Sequence, residues 1–253
     1  MLRKRIIFTL IYSDGFFCQS RNFRLQKVGD INWLEENYGF SATSFSLDEL
    51  VVLNASRKNK NIEIFSKVVE RLSKGVYIPI SAGGGIRDMK DVDVLFKNGA
   101  DKIVLNTILT LNKSLVVEIV EKFGSQSVIA SVDYSKNTVF IENGTIKVDE
   151  SLEEYIQNIQ NLGVGEIYLN SIDRDGTGFG FDFNALEEIS ANISIPLIIS
   201  GGAGNGMHLM DGLNLENVSA VSTANLFNFV GDGLIESRKD ILLKSDLIAS
   251  WEI

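Results

Sequence analysis

The sequence predicts an α/β fold, a (β/α)8 TIM barrel assembled from two half-barrels. Three observations predict it. Eight short apolar, β-branched runs alternate with amphipathic stretches. The runs are continuous rather than alternating, which suits strands buried on both faces of a parallel sheet. Motifs of the first half recur in the second at a near-constant distance. A doubly wound open sheet uses the same alternation and is the second reading.

The strand candidates run in order: "RIIFTLI" from Arg5, "ELVVLNA" from Glu49, "YIPISAG" from Tyr77, "KIVLN" from Lys102, "SVIASVD" from Ser127, "EIYLNSI" from Glu166, "PLIISGG" from Pro196 and "VSAVSTA" from Val218. Between them lie helical patterns: "NIEIFSKVVERLSKG", "MKDVDVLFKNGA", "SLVVEIVEKFG", "SLEEYIQNIQNLGVG" and "NALEEISANI". No Pro/Gly/Ser-rich linker interrupts the series, so residues 1–253 read as a single barrel domain.

The repeat pairs Gly83 with Gly201 and Asn106 with Ala224, each 118 residues apart, and Ile11 with Asp133, 122 apart. Symmetry therefore asks for an acid at position 11, and an isoleucine stands there.

Composition narrows the function. The chain has 253 residues, is 45% hydrophobic and 23% charged, and carries a net charge of -9. An acidic balance argues against non-specific nucleic-acid or membrane binding, which need a basic face. No apolar run reaches the roughly 18 residues of a membrane span, and the N-terminus lacks the apolar core of a signal peptide. The single Cys18 fits a cytoplasmic chain. One His and one Cys leave no structural zinc site. His208 reads as a surface residue on a helix, and a nucleophile–His relay has no other base. No cofactor is expected.

In such a barrel, chemistry gathers at the C-terminal ends of the strands. "SAGGGIRD" ends strand three, with Gly84 and Gly85; "SGGAGNG" ends strand seven, with Gly202. Each stands beside a small polar strand end, Asn106-Thr107 and Ala224-Asn225. Either pair makes only tight turns, or each is a cup whose backbone N–H groups meet a phosphate. Two symmetric cups suit a long ligand with a phosphate at each end. In "LNSIDRDGTGFGFD", Asp175-Gly176 closes a turn or completes the second cup; as a calcium loop the stretch lacks the twelfth-position acid. Asp133, at the tip of strand five, reads as an acid/base, with a turn-capping Asp as the alternative.

The motifs "DELVVL", "GGGIRD", "GADKIVLNT", "FGSQSVIASVD", "GEIYLNSIDRDGT" and "PLIISGGAG" resemble the cyclase subunit of imidazole glycerol phosphate synthase, from Met1 to about Phe229. The resemblance implies a glutaminase subunit docked on the N-terminal face, with ammonia passing through the barrel. It also implies two acids, ending strands one and five, that cleave and cyclise a bisphosphorylated substrate. The strand-five acid is Asp133; the strand-one position is Ile11. Gln19 replaces the family's Lys after strand one, Asn54 its strand-two Asp, and Asn225 a phosphate-contacting Ser.

The opposite face keeps the family pattern. The charged ring that gates ammonia matches Arg5, Glu49, Lys102 and Glu166, and the docking positions match Asp101 and Gln126. Paired inward charges are also a common structural device. An unchanged floor under an altered mouth resembles a paralogous subgroup found beside an N-acetyl sugar amidotransferase, where the pair supplies ammonia for acetamidino groups on surface polysaccharide. The alternative is an active cyclase of histidine biosynthesis that works with Asp133 alone.

Overall fold

The computed structural model describes residues 3–38, 46–57, 60–229 and 232–250, so the outermost residues of the expected 1–253 domain lie outside the described residues. Strand β1 (Arg5–Ser13) is followed by a hairpin, β2 (Phe16–Arg21) and β3 (Arg24–Gly29), and by helix α1 (Ile31–Tyr38). Three strand–helix units complete the first half: β4 (Glu49–Asn54) with α2 (Ile62–Ser73), β5 (Ile80–Gly83) with α3 (Met89–Lys97), and β6 (Lys102–Leu105) with α4 (Ile108–Leu111) and α5 (Lys113–Phe123). The second half repeats the order. Strand β7 (Val128–Ser135) leads into a hairpin, β8 (Thr138–Ile141) and β9 (Ile146–Ser151), and helix α6 (Leu152–Gln160). Then come β10 (Glu166–Ser171) with α7 (Phe183–Ile189), β11 (Leu197–Ser200) with α8 (Gly206–Leu213), and β12 (Val218–Thr223) with α9 (Gly233–Lys244).

Strands β1, β4, β5, β6, β7, β10, β11 and β12 pair in parallel in that order, and β12 pairs back onto β1. The sheet is therefore a closed eight-stranded barrel, and the open-sheet reading falls. All eight apolar runs are barrel strands. The two hairpins were not in the sequence reading, because their polar second strands, such as "RLQKVG", carry no apolar run. They fit the duplication: Phe16 and Thr138, and Arg24 and Ile146, open equivalent strands 122 residues apart. That is the spacing of Ile11 and Asp133.

The glycine pairing needs a one-residue correction. Gly84 and Gly85 (φ +100° and +91°) match Gly201 and Gly202 (φ +93° and +104°), 117 residues apart. A side chain at Gly84 would strike the Asn54 carbonyl at the end of β4; one at Gly201 would strike that of Ser171 at the end of β10. Gly83 ends β5 in extended backbone and matches Ser200.

Helix starts follow side-chain caps. Asn61, Asp88, Asn112 and Asn205 each accept a hydrogen bond from a backbone N–H of the first turn, and Ser151 with Glu154 forms a capping box. One large core lies between the barrel and its helices. A smaller one fills the barrel: Ile7, Val51, Val104, Ile129, Tyr168, Ile198 and Ala220. Alternate strand residues build it, so residues two before and two after reach the floor and mouth respectively.

Candidate functional site

At the floor, Arg5 opens β1, and its Nη1 lies 2.8 Å from Glu49 while its Nη2 lies 3.1 Å from Glu166. Lys102 Nζ lies 3.1 Å from Glu49 and 3.0 Å from Glu166. Each cation thus touches both anions, and the ring closes. Glu49 is 2% exposed and also accepts from Ser81 Oγ. Burial works against the Arg5 charge, but Glu166 and Glu49 outweigh it and raise its pKa. All four ring residues predicted from sequence are brought together. Asp101, just before Lys102, is exposed and accepts from the Ile80 amide at 2.8 Å; Gln126 is exposed in the turn after α5.

Above the apolar layer the barrel turns polar. The Tyr168 hydroxyl meets Thr9 Oγ1 at 2.9 Å, Ser200 Oγ at 2.8 Å and Ser222 Oγ at 3.1 Å. Burial raises the Tyr168 pKa, so it stays a neutral link in this network.

Beyond it opens a cavity of about 390 Å³, lined by the ends of the barrel strands. Asp133 lies on its wall. Asn106 Nδ2 donates to its Oδ2 at 3.1 Å and Asn170 Nδ2 to its Oδ1 at 3.0 Å. These amides hold the carboxylate in a fixed plane. Burial pushes its pKa up to about 6, against the pull of Asn170, Lys60 and Asn106. An acid titrating near 6 exchanges protons readily at neutral pH.

Ile11 faces the same cavity from β1, four strands away from β7 in an eight-stranded ring and therefore on the opposite wall. Its aliphatic side chain cannot carry a proton. Two further carboxylates line the cavity among the described residues, and neither sits in Ile11's place. Asp175 accepts from Ser20 Oγ at 2.5 Å and from the Phe23 amide at 3.0 Å, so it clasps the β2–β3 hairpin. Glu142 lies on the β8–β9 turn, where its charge acts on Lys60.

The remaining predicted residues divide. Gly84, Gly85, Asn106 and Thr107 line the cavity on one side; Asp175, Gly176, Gly202, Ala224 and Asn225 line it on the other. Asn106 is turned toward Asp133 and the Ser131 carbonyl. Asn225 Oδ1 accepts from the Asn228 amide, and Gln19 Oε1 from the Leu226 amide. Asn54 is buried, and its Oδ1 accepts from the Ser56 amide. His208 lies on α8, half-buried, with Nδ1 accepting from the Gly204 amide.

A family model described as histidine biosynthesis protein matches residues 38–231. A protein of Parasynechococcus marenigrum (strain WH8102), named "Putative imidazole glycerol phosphate synthase subunit hisF2", is 45% identical over 258 residues, covering 100% of this chain and 96% of its own length. The chain belongs to the imidazole glycerol phosphate synthase cyclase-subunit family. A protein of the same name from Pseudomonas aeruginosa is 37% identical over 238 residues, which is 91% of this chain and 93% of its own. The imidazole glycerol phosphate synthase subunit HisF of Bacillus cereus (strain G9842) is 35% identical over 245 residues, 94% of this chain and 95% of its own.

For a member of this cyclase-subunit family, the sequence reading missed four cavity residues. Asn170 holds Asp133, and its signal was present: "VLN", "VLN" and "YLN" end three barrel strands at Asn54, Asn106 and Asn170. Arg57, Lys60 and Arg87 ring the cavity next to Gly85. They lie on loops, where no periodicity marks which cations turn inward. No described helix is long and apolar enough to cross a membrane.

Proposed function

We propose that this chain is a cyclase-like barrel subunit of a glutamine-dependent amidotransferase assembly. A glutaminase subunit docks at the floor, and ammonia passes the Arg5–Glu49–Lys102–Glu166 ring into the barrel. The apolar layer above the ring suits neutral ammonia better than ammonium, because a charge there would be desolvated without a partner. The ammonia serves acetamidino formation on a surface-polysaccharide sugar, with an N-acetyl sugar amidotransferase as the acceptor enzyme.

The observation that carries this reading is Ile11 on the wall opposite Asp133, above a floor whose four charges all meet. A two-acid cyclisation has lost one acid, while the entry for ammonia keeps every group. The test supplies ammonia and the bisphosphorylated ribulosyl substrate and follows imidazole formation. Less than about one-thousandth of the turnover of a two-acid relative is expected, since a positioned acid/base contributes about 10²–10⁴-fold. Turnover within tenfold of such a relative overturns the reading.

The second reading, an active cyclase relying on Asp133, is favoured by one observation: the Asp133 pKa of about 6 suits a general acid/base. The same assay decides between them. Coupling is tested separately by co-expression with a glutaminase subunit and size exclusion. In the complex, Lys102→Ala is expected to change the ratio of glutamine-driven to ammonia-driven use severalfold; an unchanged ratio removes the gate.

A further inference from the structure

We propose that Tyr168, Thr9, Ser200 and Ser222 form a holding site for neutral ammonia at the base of the cavity, with Tyr168 as its positioning residue. This deepens the ammonia-passage reading and rests on it. The four residues stand on the neighbouring strands β10, β1, β11 and β12, all are buried, and all line the cavity. The fold does not require hydroxyls there. Across the repeat, the counterparts of Tyr168, Ser200 and Ser222 are Val51, Gly83 and Val104; Thr9 alone has a hydroxyl counterpart, Ser131. Val51 and Val104 belong to the apolar layer that also holds the Tyr168 ring. Among the buried described residues of that layer, Tyr168 alone has a polar end, and it reaches partners on three other strands.

The cluster is short of a proton where it meets the cavity. A hydroxyl carries one donor and two acceptor lone pairs. The Tyr168 hydroxyl faces Ser200 Oγ at 2.8 Å and Ser222 Oγ at 3.1 Å, and it donates to one of them at a time. The protons of Thr9 and Ser222 serve the contacts of Thr9 Oγ1 with Tyr168, at 2.9 Å, and with Ser222, at 2.8 Å. Ser200 Oγ has no second partner among the described residues. One serine oxygen is thus left without the phenolic proton, and the Ser200 proton is left to the cavity. Ammonia brings both missing parts: N–H groups for that oxygen and a lone pair for the Ser200 proton. Ammonium has no lone pair, and no hydroxyl balances its charge. Strand β10 also links the levels of the barrel. Glu166 closes the floor ring, Tyr168 anchors the cluster, and Asn170 donates to Asp133 at 3.0 Å. Ammonia rising from the ring meets the cluster before it meets Asp133.

The test is NMR of the full chain carrying tyrosine labelled with carbon-13 at Cζ, the atom that bears the hydroxyl. Tyr168→Phe assigns the Tyr168 signal among the six tyrosines. Ammonium chloride is titrated above the ammonium pKa and again at neutral pH, with sodium chloride as the control. Burial raises the Tyr168 pKa, so its own ionisation does not mimic binding. The Tyr168 signal is expected to shift along a saturating curve above the ammonium pKa. At neutral pH the same total concentration should give less than about a tenth of that shift. Tyr155, whose hydroxyl meets Thr110 at 3.0 Å, should not move. Ser200→Ala should weaken the apparent affinity about threefold or more, as the loss of one hydrogen bond does. An unmoved Tyr168, an equal response at both pH values, or an equal shift of Tyr155 overturns the proposal. So does a Ser200→Ala variant that binds ammonia as the unaltered chain does. Glutamine coupling is read separately through Lys102→Ala, so an unmoved Tyr168 with coupling intact removes only the holding site.

Discussion

At the floor of the barrel, Arg5 and Lys102 each touch both Glu49 and Glu166. At the mouth, Arg57, Lys60 and Arg87 touch no carboxylate among the described residues, and Asp133 is held by two neutral amides. The same barrel therefore closes its charges at one end and leaves them open at the other. A closed ring is self-sufficient: its members offset one another's desolvation, and losing one exposes the rest. Open cations contribute little to the fold and are available to something that arrives.

The largest effect that tests the contrast is at Glu49. Glu49→Gln removes the buried charge that Arg5, Lys102 and Ser81 share. It leaves two cations facing one remaining carboxylate. Breaking a buried pair costs about 3–5 kcal/mol; because Glu166 still serves both cations, about 3 kcal/mol is expected, read as a lower urea midpoint with an unchanged slope. A loss below about 1 kcal/mol would mean that the ring is solvated in solution and that the floor resembles the mouth.

Asp133 gives an intermediate effect of opposite sign. Its folded pKa is about 6 against 3.8 as the ordinary value. A carboxyl whose pKa is raised by folding favours the protonated folded state. Its contribution is fully present below about 3.8 and is lost as pH rises through about 6. Above pH 6 the ionised group is therefore a strain on the fold. Asp133→Asn is expected to stabilise the protein by about 1 kcal/mol at pH 8, less than the full shift implies because the carboxylate faces the cavity. The gain should vanish near pH 4. Thermal melts of both proteins at the two pH values check this; a destabilised variant at pH 8 would mean that Asn106 and Asn170 hold the charge at a net gain.

What could be read from sequence follows from where periodicity carries information. All eight barrel strands stood out because a strand buried on both faces must be apolar throughout. The ring was legible through the family resemblance, whose four ring positions match Arg5, Glu49, Lys102 and Glu166, each at the opening of such a run. Ile11 and Asp133 were paired by the repeat and by the family resemblance, and both line one cavity. The hairpins escaped because one face of each meets solvent and their edges are polar. Arg57, Lys60 and Arg87 escaped for a related reason: nothing in a loop sequence says which side chain the backbone turns inward. Asp175 lines the cavity, and its carboxylate clasps Ser20 and Phe23, because a hairpin absent from the prediction supplies its donors.

The smallest effect completes the comparison. Arg87 is exposed, and among the described residues its guanidinium has no ion pair, so Arg87→Gln should change stability by no more than about 0.5 kcal/mol. Lys60→Gln should fall in the same range at pH 7, since burial already lowers the Lys60 pKa and removing the charge relieves that desolvation. Urea melts of both variants beside Glu49→Gln place the two ends of the barrel on one scale. A loss of about 2 kcal/mol in Arg87→Gln would make this cation part of the fold, as Arg5 and Lys102 are. An effect near zero separates charge held for structure at the floor from charge left open at the mouth.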